Sequence, residues 1–66
     1  MVALNSSAIK SADYDPATRN LYLSFTSGGN YTYYDVPEWK YLALLSASSA
    51  GQYFNENIRD QHSSNR

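Results

Sequence analysis

Hydrophobic and polar residues alternate most regularly in the segment LYLSFTS, which begins at Leu21. Leu21, Leu23 and Phe25 fall on one side of this alternation, which predicts a strand with one buried and one open face. A weaker alternation over AIKSADY, residues 8 to 14, predicts an earlier strand. The Asp15-Pro16 pair between the two segments favours a type I turn, so the two strands are expected to form a hairpin.

A third strand is predicted over NYTYYDV, residues 30 to 36, because the segment is rich in the aromatic residues that strands favour. It follows the pair Gly28-Gly29, which is typical of a hairpin turn. The three strands are therefore consecutive and antiparallel.

The register of this third strand depends on the loop. A loop made of the two glycines alone places Tyr31 and Tyr33 on the open face, whereas a three-residue loop with Gly29 in the left-handed conformation places both on the core face. We favour the second register, because an aromatic ring buries roughly 150–250 Å² and few other side chains can fill the space under a helix. Tyr22 and Tyr34 then lie on the outer face of the sheet.

A first helix is predicted over PEWKYLALLSA, residues 37 to 47. It starts with a proline at the first helical position and an acidic residue, both typical of a helix N-terminus. Its apolar residues are too widely spread for one sheet face to cover, so the helix is expected to have a second packing partner. The two apolar stripes are Trp39, Leu42 and Ala43, and Tyr41, Leu44 and Leu45.

The second helix is predicted within SSAGQYFNENIRD, residues 48 to 60. Ser49 and Gln52 have the spacing of a capping box, and Phe54 and Ile58 lie one turn apart. The predicted fold is thus α+β: a three-stranded antiparallel meander followed by two helices packed on one face, β-β-β-α-α.

The chain has 66 residues, which is enough for one domain. We predict a core over about residues 6–59 and a polar tail over residues 60–66 that frays. The chain contains no cysteine, no basic and apolar leader and no apolar run of membrane-spanning length, which predicts a cytoplasmic protein without a membrane partner.

No catalytic constellation, metal site or cofactor motif is apparent in the sequence. His62 is the only histidine and is interpreted as a solvated residue of the tail. The carboxylates fall at turns and helix starts, and the serines have no base near them in the predicted elements. We therefore predict that the protein is not an enzyme and requires no cofactor.

Tyrosines on a sheet are the one pattern that suggests recognition, because a nucleic-acid base can stack on a tyrosine ring. The candidates are Tyr22, Tyr34 and the rims of Tyr31 and Tyr33, although half-buried strand tyrosines of this kind are more often structural. Arg59 is the first cation to test, and Lys10 is the second. The net charge of −1 gives no general electrostatic attraction to nucleic acid, so any such binding is expected to be local and salt-sensitive.

Over residues 6 to 59 the sequence closely resembles the KTSC domain family. The resemblance does not decide the register of Tyr31 and Tyr33. The residues that support it are Ser6-Ser7 with Ile9, Tyr14-Asp15-Pro16, Gly28-Gly29, Tyr31 and Tyr33, Val36-Pro37, Tyr53-Phe54-Asn55, Ile58 and Arg59.

The family takes its name from the carboxyl-terminal segment of some lysyl-tRNA synthetases, and it also includes small stand-alone proteins of bacteria and phages. The resemblance implies a domain without an assigned function, for which RNA binding is suggested by that attachment alone. The alternative is a bacterial or phage accessory protein that contacts another protein or assembles with itself and binds no nucleic acid.

Overall fold

In the computed structural model, which describes residues 2–4 and 6–65, a sheet is followed by two helices. The sheet is antiparallel with strand order β1-β2-β3-β4. The predicted α+β fold is confirmed, although the sheet has four strands instead of three. The additional strand, β1, has only two residues, which are too few to show an alternation of hydrophobic and polar positions. The elements are β1 (Val2–Ala3), β2 (Ile9–Asp15), β3 (Asn20–Phe25), β4 (Asn30–Tyr33), α1 (Glu38–Ser46) and α2 (Ala50–Asn57).

The register between β3 and β4 places Tyr33 opposite Leu21 and Tyr31 opposite Leu23, so both tyrosines are on the core face as favoured from the sequence. The connecting loop consists of the three residues between Phe25 and Gly29. The Phe25 N–H donates to the Gly29 carbonyl at 2.8 Å. The left-handed residue is Gly28, with φ of 103°, so the prediction of Gly29 for this role is wrong by one position. Gly28 closes the turn by donating its N–H to the Phe25 carbonyl at 2.9 Å.

Replacing these two glycines separately tests the loop. We expect Gly28→Ala to lower the free energy of unfolding by about 1–2 kcal/mol, because a Cβ disfavours a positive φ. Gly29→Ala is expected to cost less, since Gly29 has no positive φ and its Cβ would first meet the outer end of the Tyr31 side chain, at 2.8 Å, and not a backbone atom. Urea unfolding followed by tyrosine fluorescence measures both. A larger loss for Gly29→Ala would contradict the assignment.

Both helices pack on the same face of the sheet and enclose the core. Phe54 of α2 is central, because its ring meets Tyr33 edge-on at 5.2 Å and Phe25 at 5.4 Å between centroids. Tyr14 stacks on Tyr41 of α1 at 5.2 Å and donates its hydroxyl to the Val36 carbonyl at 2.5 Å. The buried apolar residues are Ile9, Ala12, Leu21, Leu23, Tyr33, Val36, Leu44, Ala50, Phe54 and Ile58.

Helix α1 is rotated relative to the orientation that its apolar residues suggest. Trp39 is 62% exposed and Leu42 is 54% exposed, whereas Lys40 is 8% exposed and Leu44 is fully buried. The predicted packing stripe of Trp39, Leu42 and Ala43 is therefore wrong for its first two members. The helix also begins one residue later than predicted, because Pro37 is its N-cap and not its first helical residue.

The tail is not frayed over residues 63 to 65. Tyr34 N–H donates to the Ser63 carbonyl at 2.9 Å, and Asn65 N–H donates to the Thr32 carbonyl at 3.1 Å. The Asn65 side chain also accepts from Thr32 N–H at 2.9 Å. The predicted fraying is wrong here because the tail supplies partners for backbone groups at the β4 edge, which a sheet edge otherwise leaves unpaired.

Candidate functional site

A cleft of about 230 Å³ opens where the loop before β2 and the end of β3 meet α2. Sites for drug-sized small molecules usually have about 300–1,000 Å³, so this cleft has room for a single ring or side chain. We call it the Arg59 cleft. Its lining residues are Ala8, Phe25, Gly51, Phe54, Asn55 and Arg59.

Helix α2 supplies one wall through residues spaced by four positions. Gly51 and Asn55 share one face of α2, as this spacing predicts for a helix, and Arg59 follows just beyond the helix end. The backbone turn continues past the last helical residue, because Arg59 N–H donates to the Phe54 carbonyl at 2.9 Å. Gly51 allows a close approach of the opposite wall, since a Cβ on it would lie 3.1 Å from the Cβ of Ala8.

Hydrogen bonds of two side chains, Ser6 and Thr26, hold the loop that forms the opposite wall. Ser6 Oγ accepts from the backbone N–H groups of Ala8 and Ile9 at 3.1 and 3.3 Å. The Thr26 hydroxyl donates to the Ser7 carbonyl at 2.8 Å and so ties the loop to the end of β3. This wall of the cleft is therefore held by hydrogen bonds within the loop and between the loop and the residue after β3.

The floor of the cleft is aromatic. Phe54 is 4% exposed, so the half-buried Phe25 presents the ring that a ligand can reach. Phe25 also meets the ring of Tyr31, with centroids 5.5 Å apart. A planar apolar group that enters the cleft would thus lie against a ring that is held from two sides.

Arg59 is the ionisable residue of the cleft and its side chain is not engaged in any ion pair or hydrogen bond with residues 2–4 or 6–65. Its position just beyond α2 suits a cation, because the C-terminal end of a helix has partial negative charge. With Arg59 as the only charge and no base beside it, the cleft has the chemistry of a binding site for an anion-bearing planar group and lacks a group that could activate a nucleophile.

The remaining cations differ in their availability. Arg19 lies 3.6 Å from a carboxylate oxygen of Asp35, and Lys40 is buried. Lys10 is exposed at the β-bulge between Ile9 and Ser11, and its ammonium has no partner in the described part of the chain. Among the Lys and Arg side chains of residues 2–4 and 6–65, Lys10 and Arg59, the two cations chosen from the sequence, are thus the ones available for an external ligand.

The four candidate tyrosines do not form one surface. Tyr33 is 2% exposed and belongs to the core, whereas Tyr31 is half-buried and reaches the cleft only through Phe25. Tyr22 lies on the outer face within 3.5 Å of the Asn20 amide nitrogen, and Tyr34 is exposed beyond the end of β4. Of the six candidate residues, only Arg59 lines the cleft.

A second polar cluster joins α1 to the tail and was missed from the sequence. The Lys40 ammonium donates to the Asn57 carbonyl at 2.8 Å and to Gln61 Oε1 at 3.2 Å, and it lies 2.8 Å from His62 Nε2. An ammonium has only donors, so His62 accepts through Nε2 and is neutral in this arrangement. The interpretation of His62 as a solvated residue is therefore wrong.

The environment of His62 lowers its pKa below the ordinary value of 6.5. The largest cause is burial, and the nearby charges of Lys40 and Arg19 act in the same direction. The carboxylate of Asp35 and a hydrogen bond to the Tyr34 backbone oppose the shift but do not cancel it. His62 is thus held in the neutral form that the contact with Lys40 requires.

Residues 2–4 and 6–65 give no support for metal binding or for a membrane-spanning segment. This part of the chain has no group of three or more His, Asp or Glu side chains placed to hold a metal ion. It also contains no helix of the length and apolar character needed to cross a bilayer.

Solved and curated proteins show the same fold and sequence pattern. A crystal structure of a KTSC domain protein from Yersinia pestis superposes with a TM-score of 0.93 and 34% sequence identity, over 97% of this chain and 90% of that one. An uncharacterized protein of Stutzerimonas stutzeri is 44% identical over 61 residues, which are 92% of this chain and 86% of that protein.

A protein of Tsukamurella paurometabola is 47% identical over 55 residues, or 83% of this chain and 82% of its own length. A lysine–tRNA ligase of Nostoc is 44% identical over 55 residues, or 83% of this chain, but the match spans only 10% of the ligase. The chain is thus a small α+β domain, and a segment similar to it forms part of that larger ligase. The profile described as KTSC domain matches residues 5–62, and the chain belongs to the KTSC domain family.

Proposed function

We propose that this KTSC domain is a non-enzymatic binding module and that the Arg59 cleft takes one nucleotide of single-stranded RNA. The observation that supports this function is an unpaired arginine beside an amide side chain and an accessible aromatic ring, all lining one cleft. Proteins that recognise unpaired RNA use these three components together: a ring for stacking, an amide for the base edge and a cation for phosphate.

Each component has one role in this proposal. The base enters against Phe25, and the Asn55 carboxamide, which has both donors and acceptors, bonds its edge. The Arg59 guanidinium contacts the adjoining phosphate, because its planar donors match phosphate oxygens. The small volume of the cleft limits it to one base, so the domain reads a single nucleotide and does not enclose a strand.

Similarity to the Nostoc lysine–tRNA ligase supports RNA as the ligand class, because a segment like this domain forms part of a protein that is named for tRNA. The net charge of −1 implies that affinity is modest, since few phosphates are neutralised. Lys10 is the second available cation, and it contributes to attraction without lining the cleft.

Fluorescence anisotropy with a short labelled single-stranded RNA at low salt tests the proposal. Arg59→Gln is expected to weaken binding by about tenfold or more, because a charge-assisted hydrogen bond contributes about 1.5–3 kcal/mol. Lys10→Gln is the matched control and is expected to have a smaller effect. Absence of binding by the unmodified domain, or equal losses for both variants, would contradict RNA recognition at this cleft.

A protein-interaction module is the second candidate, and a separate observation favours it. Trp39 and Leu42 lie one turn apart on α1 and are both mostly exposed, and tryptophan is among the residues that dominate binding energy at protein interfaces. The simplest partner is a second copy, since two-fold dimers are the commonest assemblies. Sedimentation would then show a concentration-dependent dimer that Trp39→Ala removes; a monomer throughout would exclude self-assembly.

A further inference from the structure

The segment of residues 60–65, here called the tail segment, covers the β4 edge and is attached to α1 through a titratable contact. We propose that the tail segment is a pH-sensitive cover: it stays on the edge while His62 accepts from Lys40, and it opens when His62 gains a proton. The opened edge is then an interaction surface for an extended polypeptide strand.

Two sets of contacts hold the closed form. The backbone bonds of Ser63 and Asn65 to β4 join the tail segment to the sheet edge. The Lys40 ammonium joins it to the helical layer through Gln61 and His62. The second set anchors the start of the tail segment and so fixes the residues that pair with the edge.

Protonation of His62 reverses the sign of its contact with Lys40. An imidazolium has no acceptor, so the hydrogen bond at Nε2 is lost and two cations stand 2.8 Å apart. The other charges around the ring come from separate elements. Arg19, from the β2–β3 turn, adds to the repulsion of a protonated His62. Asp35, from the β4–α1 connection, attracts a protonated His62 and so reduces the repulsion, and its carboxylate also lies 3.6 Å from Arg19.

The direction of the pH effect follows from the two forms. In the closed form the pKa of His62 is below 6.5, through burial first and Lys40 second, and in the open form it returns toward that ordinary value. The open form therefore binds more protons between the two values, and the closed form loses stability as the pH falls through this window. Above pH 6.5 the cover is fully stabilised by the neutral ring.

Opening frees the N–H and C=O of Thr32 and the N–H of Tyr34 at the β4 edge, and it also breaks the hydrogen bond between the His62 ring and the Tyr34 backbone. A row of unpaired groups on an outer strand is a template for pairing with another extended chain. The tail segment already shows that the edge accepts such a strand. Because the freed groups are backbone N–H and C=O groups, they would pair with the backbone of the partner strand, and the partner's side chains would matter little.

Amide hydrogen exchange measured by NMR tests the cover directly. Between pH 7.5 and pH 5, the protection factors of the Thr32 and Tyr34 amides are expected to fall, by up to tenfold for each pH unit that separates the pKa values of the closed and open forms. The amide of Leu23, in the centre of the sheet, is the internal control and should keep its protection.

His62→Gln provides the matched variant, because glutamine retains an acceptor for Lys40 and does not titrate. It is expected to keep the Thr32 and Tyr34 amides protected at pH 5. Unchanged protection of the natural protein at pH 5 would overturn the proposal, as would an equal fall in His62→Gln. A parallel fall at Leu23 would also overturn it, by showing that the whole domain opens.

Discussion

Phe54→Ala is expected to lower the free energy of unfolding by about 3–5 kcal/mol, the usual cost of removing a buried aromatic ring. Phe54 is 4% exposed and contacts both Tyr33 and Phe25, so its removal leaves a cavity and ends both ring contacts. A domain of 66 residues has a total stability of roughly 3–10 kcal/mol at the usual value per residue. Because this loss is about a third or more of the total, urea unfolding should show a midpoint at a much lower urea concentration than in the natural protein.

Trp39→Ala is the informative comparison, because it removes a larger ring from the neighbouring helix. Since Trp39 is mostly exposed, its loss should cost less than about 1 kcal/mol, chiefly through the contact of its ring with the Lys40 ammonium at 5.7 Å. If the two variants lost equal stability, α1 would have to pack with Trp39 inward.

Features set by neighbouring residues could be predicted from the sequence. The alternation of Leu21 and Leu23 fixes which face of β3 is buried, and the cap at Ser49, whose hydroxyl accepts from Gln52 N–H at 3.3 Å, fixes where α2 begins. Both depend on side chains within a few positions of each other. The β3–β4 register was favoured over its alternative for a related reason, because it places Tyr31 and Tyr33 on the core face, where Tyr33 is buried and Tyr31 is half-buried.

The rotation of α1 could not be predicted in the same way. Apolar spacing favours Trp39 and Leu42 as buried residues, but burial of Lys40 is decided by acceptors located 17, 21 and 22 residues further along the chain. Those acceptors are a helix-end carbonyl and two tail side chains, whose position depends on the fold. A lysine in a helix gives no local sign that its ammonium will be satisfied inside.

The Arg59 cleft was accessible to sequence analysis only in part. Arg59 is a candidate cation from the sequence alone, and the spacing of Gly51 and Asn55 places these two residues on one face of α2, which is a signal that can be read locally. The contribution of Phe25 and Ala8 could not be read, since it requires the loop before β2 and the end of β3 to meet α2. The different burial of Tyr31 and Tyr33 could not be read either, because a strand tyrosine looks the same in the sequence whether its ring is buried or partly exposed.

Lys40→Met is expected to destabilise the domain by about 1–2 kcal/mol, because two of the acceptors that lose their donor are half-buried and the third, on Gln61, is exposed to water. Methionine retains much of the aliphatic stem, so the loss reports on the ammonium and its bonds to Asn57, Gln61 and His62. Lys10→Met is the matched control, because Lys10 is exposed and unpaired in the described structure, and its replacement should change stability very little.

The pH dependence of the same variants separates the charge of Lys40 from its packing. In the natural protein the pKa of His62 is lowered by burial and by Lys40, so stability should decline as the pH falls below 6.5. Without the ammonium one cause of the lowered pKa is absent, and the decline in Lys40→Met should be shallower, whereas Lys10→Met should keep the natural slope. Urea unfolding at pH 7.5 and 5.5 measures both quantities. A Lys40→Met variant as stable as the natural protein would mean that the three acceptors find water or other donors, and that the tail is held by its backbone bonds to β4 alone.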